Sequence, residues 1–174
     1  MQSVVVRLVH YNSAVNKKLF DLLESVPESI LQKSVGSYYN SIVGLLNHVL
    51  RSDLAWLGRF REPFPDRKML QSTVVELPTG MAAGSHIHED LPSLRARRFE
   101  LDLVFVQFVE SLSPAELARE FTYRNARGVT LTNVIEDILL HLFNHQTHHR
   151  GAISQILDSE NIEHDISSYI ATRG

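Results

Sequence analysis

The 174-residue chain contains no cysteine. Disulfide bonds, thiolate metal ligands and a cysteine nucleophile are therefore excluded. No apolar run approaches the roughly 18 residues that a membrane-spanning helix needs, and the amino-terminal residues lack the pattern of a signal peptide. The net charge of −3 gives no electrostatic basis for binding nucleic acid or an anionic membrane. These absences predict a cytoplasmic protein with neither nucleic acid nor membrane as a partner.

The rest of the composition is that of an ordinary globular protein, with 44% hydrophobic and 21% charged residues. A chain of this length is long enough to bury a substantial core, so a single domain over residues 1–174 is expected. Histidine is the exception. Nine histidines stand against 17 lysines and arginines, and several of them are clustered.

Apolar residues recur at three- and four-residue spacing in four long stretches, which predicts four amphipathic helices. The stretches cover residues 5–24, about 36–60, 94–112 and 132–157. Between the second and third, residues 62–90 are broken by proline and glycine and predict a long connection with at most a short helix near 68–74. This pattern favours an all-α protein built as a four-helix bundle.

Two shorter signals separate the third and fourth helices. Ser113, Pro114 and Glu116 form the capping pattern of a short helix. Residues 121–129 alternate loosely in polarity around Asn125 and Gly128, which favours a small turn or hairpin.

The fourth stretch carries histidines on its apolar face. Its predicted inner positions are Ile138, Leu142, His145, His149, Ala152 and Ile156. His145 and His149 are four residues apart, so a helix places their rings one above the other. Neutral imidazole is a favoured ligand of Zn, Ni, Cu and Fe, and such an ion needs three or four donors. The pair therefore predicts part of a metal site.

The third donor must come from another element. His48 lies at the flank of the apolar stripe of the second helix and is the best-placed candidate, although a hydrogen-bonded core histidine is the alternative interpretation. Three histidine ligands would leave coordination positions open, as in catalytic zinc sites.

The other histidines keep several interpretations. His141 could line the site, replace a ligand or pack in the core. His148 points away from the predicted inner face, and His86 and His88 fall in the long connection, where a surface position is expected.

Two familiar metal motifs are absent. The metalloprotease pattern His-Glu-x-x-His needs a carboxylate base after the first histidine, and Gln146 stands there. A di-iron carboxylate bundle needs Glu-x-x-His pairs on two helices, and the second and fourth helices do not supply them.

Several arginines and a glycine also carry predictions. The cluster of residues 95–98 is expected to be a solvated helix face. Arg124, Arg127 and Arg150 are candidates for holding an anionic substrate group, and Gly151 marks a place where another backbone could approach closely.

The assembled motifs resemble those of the DinB/YfiT-like family of damage-inducible, four-helix-bundle metalloproteins. The resemblance is carried by Asn144-His145-Gln146-Thr147-His148-His149-Arg150-Gly151, by His48, Asp53 and Trp56, by Asn125 and Gly128, and by Asp165 with Tyr169. It covers most of the chain. Ala152 departs from the pattern, because the family commonly has glutamine after Arg-Gly.

The resemblance implies an up-down-down-up bundle with a long crossover between the second and third helices. It implies His48, His145 and His149 as ligands of a divalent metal, with zinc or nickel expected, and assigns no separate catalytic residue. Thiol S-transferase or hydrolase-like chemistry in stress response or detoxification would follow, on a small-molecule substrate and with a low-molecular-weight thiol. A homodimer is also implied. The alternative is a non-catalytic bundle that binds a metal or a partner.

Overall fold

The computed structural model describes residues 3–80, 85–125 and 127–171. These residues form a mostly helical structure with one small antiparallel sheet. The helices are α1 (Val4–Leu23), α2 (Glu28–Leu31), α3 (Ile42–Phe60), α4 (Leu91–Glu110), α5 (Pro114–Leu117) and α6 (Ile135–Ser159), and the strands are β1 (Glu120–Arg124) and β2 (Thr130–Val134). Among the described residues, no helix combines the length and the apolarity needed to cross a membrane.

The four long helices pack against one another around an apolar core. α1 contacts α4 and α6, and α3 contacts the same two helices. The core contains large, fully buried side chains from several of these elements, among them Phe20, Leu50, Phe60, Phe105 and Phe108. The predicted helices at residues 5–24 and 94–112 correspond to α1 and α4.

α3 begins later than the periodicity predicted. Gly36 and Asn40 both have left-handed backbone conformations, with φ of +69° and +65°, and the amide of Val35 donates to the carbonyl of Asn40. These conformations cannot continue a right-handed helix. The chain therefore forms a closed turn first, and the side chain of Ser41 caps the helix by accepting a hydrogen bond from the Gly44 amide.

α6 also begins later, because residues 132–134 belong to β2. Thr132 pairs with Thr122, and Val134 pairs with Glu120. The hairpin predicted around Asn125 and Gly128 is therefore present, and the all-α prediction is corrected to a mostly helical fold with this hairpin. Ala126, which falls in that stretch, lies outside the described residues.

The long connection before α4 contains two 3₁₀ turns, Lys68–Gln71 and Thr73–Val75, where a short helix was predicted. The chain after α6 returns to α1, where Ile166 is buried. In the same tail, the Tyr169 ring meets the Tyr11 ring edge-on at 5.2 Å, and Lys18 pairs with Asp165 at 3.3 Å.

Candidate metal centre

Three imidazole rings from two helices converge at the contact between α3 and α6. Nε2 of His145 lies 3.0 Å from Nε2 of His48 and 3.1 Å from Nε2 of His149. The three donor nitrogens lie within 4.8 Å of one another, so the group can hold a metal ion. The structure thus brings together the three residues that the sequence and the resemblance pointed to.

The spacing of these nitrogens fits a single divalent ion. Tetrahedral zinc with Zn–N bonds of about 2.0–2.1 Å holds two ligand nitrogens about 3.3–3.4 Å apart. The two Nε2–Nε2 distances of 3.0 and 3.1 Å are only slightly shorter. A small rotation of the rings would therefore suffice for coordination.

The same three rings are held in their neutral form. Burial, together with a smaller effect of the neighbouring imidazoles, lowers the pKa of His48, His145 and His149 to about 4. A neutral imidazole has a free lone pair, which is the form that binds metal. At pH 7 all three residues are therefore ready to act as ligands.

The site lies at the edge of the buried face of α6. Leu142, Gln146 and Ile153 are among the most deeply buried residues of this helix, whereas His145 is half-buried. His149 is 6% exposed. The buried face is therefore rotated from the predicted one, and Ala152, predicted to be inside, is only partly buried.

The Nδ1 atoms of the two α6 histidines lack the hydrogen-bond partner that ligating histidines usually have. Nδ1 of His145 and Nδ1 of His149 are buried and form no hydrogen bond within the described part of the chain. Ligating histidines usually donate this N–H to an oxygen acceptor, which fixes the ring. Here the rings are fixed mainly by packing.

One packing partner was not recognised from the sequence. The ring of Tyr39 stacks on the ring of His48, with centroids 3.9 Å apart and 23° between the planes. It also meets the ring of His149 edge-on at 5.3 Å. No periodic pattern includes Tyr39, because it lies in the turn before α3.

Gln146 points away from the three histidines into a buried polar layer. We use this name for the side chains of Asn12, Asn16, Asp53, Arg98, Asp102, Gln146 and Arg150, all between 0% and 6% exposed. Gln146 Nε2 donates to Asp53 Oδ2 at 2.7 Å, and its oxygen accepts hydrogen bonds from Asn12 and Asn16. The layer joins all four long helices directly beside the histidine site.

The charges of the polar layer balance. Arg98 pairs with Asp53 and with Asp102, and Arg150 donates to the side-chain oxygens of Asn12 and Asn16. Burial raises the pKa of Asp53 to about 6, against the opposing effect of Arg98. Such a network aligns helices, because each buried polar group must keep its partner.

These positions bear on three predictions. Arg98 is buried in the polar layer and not part of a solvated face. Of the arginines predicted to hold an anionic group, Arg150 is buried, whereas Arg124 and Arg127 are exposed on the hairpin. A side chain at Gly151 would meet no atom within 4 Å among the described residues, so no backbone approaches there.

The remaining predicted histidines lie outside the three-nitrogen group. His141 is exposed, and its ring stacks on His145 with centroids 6.2 Å apart. His148 is exposed beside His149. In the long connection, Nδ1 of His86 lies 2.8 Å from a carboxylate oxygen of Glu89, and His88 is part-buried.

Fold and site together define a mostly helical protein with a three-histidine group that can hold a metal ion. The model of the DinB family matches residues 1–159, and the chain belongs to this family. It is 26% identical over 157 residues to Protein DinB of Bacillus subtilis (strain 168), a match covering 90% of this chain and 86% of that protein. No solved structure shows a significant match.

Proposed function

We propose that the protein is a metal-dependent enzyme whose ligands are His48, His145 and His149. The observation that carries the proposal is the convergence of the three Nε2 atoms, from rings whose pKa burial lowers to about 4. Zinc or nickel suits an all-imidazole donor set.

The substrate would be a small molecule, with a low-molecular-weight thiol as the second reactant, in stress response or detoxification. When bound, a divalent ion with open positions lowers the pKa of a water or thiol that it binds. The chain supports this role by keeping the three rings neutral and by leaving His145 partly exposed. Transfer of a thiol sulfur to an electrophile and hydrolysis are the two reaction classes that fit.

Four further proposals concern the helix order, the domain organisation, the oligomeric state and the location. The four long helices would follow the up-down-down-up order, with residues 61–90 as the crossover. Support comes from the contacts of α1 with α4 and α6. We also propose a single domain over the whole chain that forms a homodimer in the cytoplasm.

The second candidate is a non-catalytic bundle that binds a metal or a partner. The observation that favours it is the buried polar layer beside the histidines, in which Arg98 pairs with Asp53 and Asp102 and Arg150 donates to Asn12. Such pairing aligns helices and offers no separate proton donor to a substrate.

Cobalt substitution separates the two candidates. The cobalt-loaded protein is titrated with cysteine, glutathione and 2-mercaptoethanol while its visible ligand-field spectrum is recorded. An enzyme with open coordination positions should show a changed spectrum and a sulfur-to-cobalt charge-transfer band with at least one thiol. A spectrum that no thiol or small anion changes would favour the non-catalytic candidate.

A further inference from the structure

The turn before α3 places an aromatic ring against the proposed metal ligands. Tyr39 is part-buried and contacts two of them, by stacking on His48 and by meeting His149 edge-on. Its phenol is uncharged at pH 7, as that of an ordinary tyrosine is. A neutral aromatic ring at this place acts through shape and packing.

The backbone of Tyr39 is held firmly against the helix that carries His48. Its carbonyl accepts the amide of Ser41 at 2.8 Å, and the Asn40 amide donates to Ser37. The Ser34 hydroxyl donates to the side chain of Asn40 at 2.6 Å. The turn is therefore closed by hydrogen bonds on both sides of Tyr39.

Gly44 permits this close packing. It is buried in the first turn of α3, and a Cβ there would lie 1.9 Å from the carbonyl oxygen of Tyr39. That distance is far below van der Waals contact, so any larger residue would move the turn. The position of Tyr39 is thus set by the same helix that positions His48.

We propose that Tyr39 is a positioning residue of the metal centre. It fixes the ring plane of His48 by stacking, and it braces His149, whose Nδ1 has no hydrogen-bond partner within the described residues. This role rests on the proposed function. For His149, Tyr39 thereby takes the place of the oxygen acceptor that usually orients a ligating histidine.

The test measures Co²⁺ affinity of the full chain by competition with a chelator. Tyr39→Ala should weaken binding by about tenfold, the lower end of the range for residues that orient ligands. Tyr39→Phe keeps the stacked ring and should stay within about twofold of the unchanged protein. The matched control is Tyr38→Ala, because Tyr38 is 92% exposed and contacts Tyr39 but no ligand.

Two further readouts separate positioning from general stability. The metal-free Tyr39→Ala protein should unfold at a somewhat lower urea concentration than Tyr38→Ala, because Tyr39 packs against the core, but it should remain folded without urea, and only Tyr39→Ala should alter the cobalt spectrum. Equal Co²⁺ affinity in Tyr39→Ala and the unchanged protein would overturn the role of Tyr39 alone. The role would also be overturned if the loss of Co²⁺ binding free energy in Tyr39→Ala equalled its loss of unfolding free energy without metal. No Co²⁺ binding by the unchanged protein would overturn the proposed function as well.

Discussion

Replacing Gln146 by glutamate restores the His-Glu-x-x-His pattern of metalloproteases, yet we expect it to destabilise the fold without creating a general base. Gln146 is 1% exposed, and its Nε2 lies 2.7 Å from Asp53 Oδ2. The new carboxylate would face Asp53 inside the polar layer and not the three histidines. Two carboxylates at this distance cannot both be ionised, so the folded variant must bind one more proton.

The cost of that proton sets the magnitude. The ordinary pKa of a glutamate is about 4.3, which is about 2.7 pH units below pH 7. Keeping the new glutamate protonated at pH 7 therefore costs about 3.7 kcal/mol. The protonated group can donate its O–H to Asp53, while Asn12 and Asn16 still donate to its other oxygen. Gln146→Glu should therefore lower the free energy of unfolding at pH 7 by about 1.4–4 kcal/mol, the smaller value applying when Asp53, with its pKa of about 6, takes the proton instead.

The pH dependence has a definite sign. The folded variant has a glutamate pKa raised above its unfolded value. Its stability relative to the unchanged protein is therefore highest at low pH and falls as pH rises. The difference from the unchanged protein should shrink as pH falls from 7 towards 5, by less than about 1.4 kcal/mol per pH unit, because Asp53, with a pKa of about 6, also binds a proton in the unchanged fold.

Urea unfolding at pH 7, 6 and 5 measures this difference. The matched control is Gln155→Glu, the same substitution at an exposed position of α6, which should change stability by less than about 0.5 kcal/mol. A Gln146→Glu protein as stable as the control at pH 7 would refute the placement of this side chain, as would peptide hydrolysis by the metal-loaded variant.

Two further predictions concern buried charge. Arg98→Met leaves Asp53 and Asp102 buried without their cation and should lower the free energy of unfolding in urea by about 3–5 kcal/mol. The exposed control Arg127→Met should lower it by less than about 0.5 kcal/mol. Equal effects of the two substitutions would contradict the pairing of Arg98 with these carboxylates. In the metal-free protein, the pKa of the three site histidines is lowered to about 4, so their burial contributes a loss of stability as pH falls from about 6.5, the unfolded value, towards 4. An NMR titration should show these imidazoles ionising near pH 4, and values near 6.5 would contradict their burial.

Much of the helical fold could be predicted because helices leave a period in the sequence. The three- and four-residue spacing of apolar residues located α1 and α4, and the four-residue spacing of His145 and His149 placed both rings on one face. His48 remained ambiguous by spacing, since its partners come from a helix about 100 residues later. Only the family resemblance selected it.

The starts of α3 and α6 were predicted too early for local reasons. Asn40 takes a left-handed conformation, and residues 132–134 pair with β1. Neither fact is visible in a helical period, because both depend on contacts outside the helix.

The polar layer depends on tertiary contacts and had only a weak signal. Asn12 and Arg98 stand at positions where the spacing of α1 and α4 calls for an apolar residue. A polar residue at such a position indicates a buried group with a hydrogen-bond partner. Tyr39 had no signal at all, because its importance follows from the fold of one turn onto His48.

The most direct test is the metal content of the purified protein, measured by mass spectrometry after loading with Zn²⁺ and desalting. The unchanged protein should retain one ion per chain, and His145→Ala should retain none. His141→Ala is the matched control, since His141 stacks on His145 from outside the three-nitrogen group, and it should retain one ion. A metal-free unchanged protein, or one ion per chain in His145→Ala, would contradict the three-histidine centre.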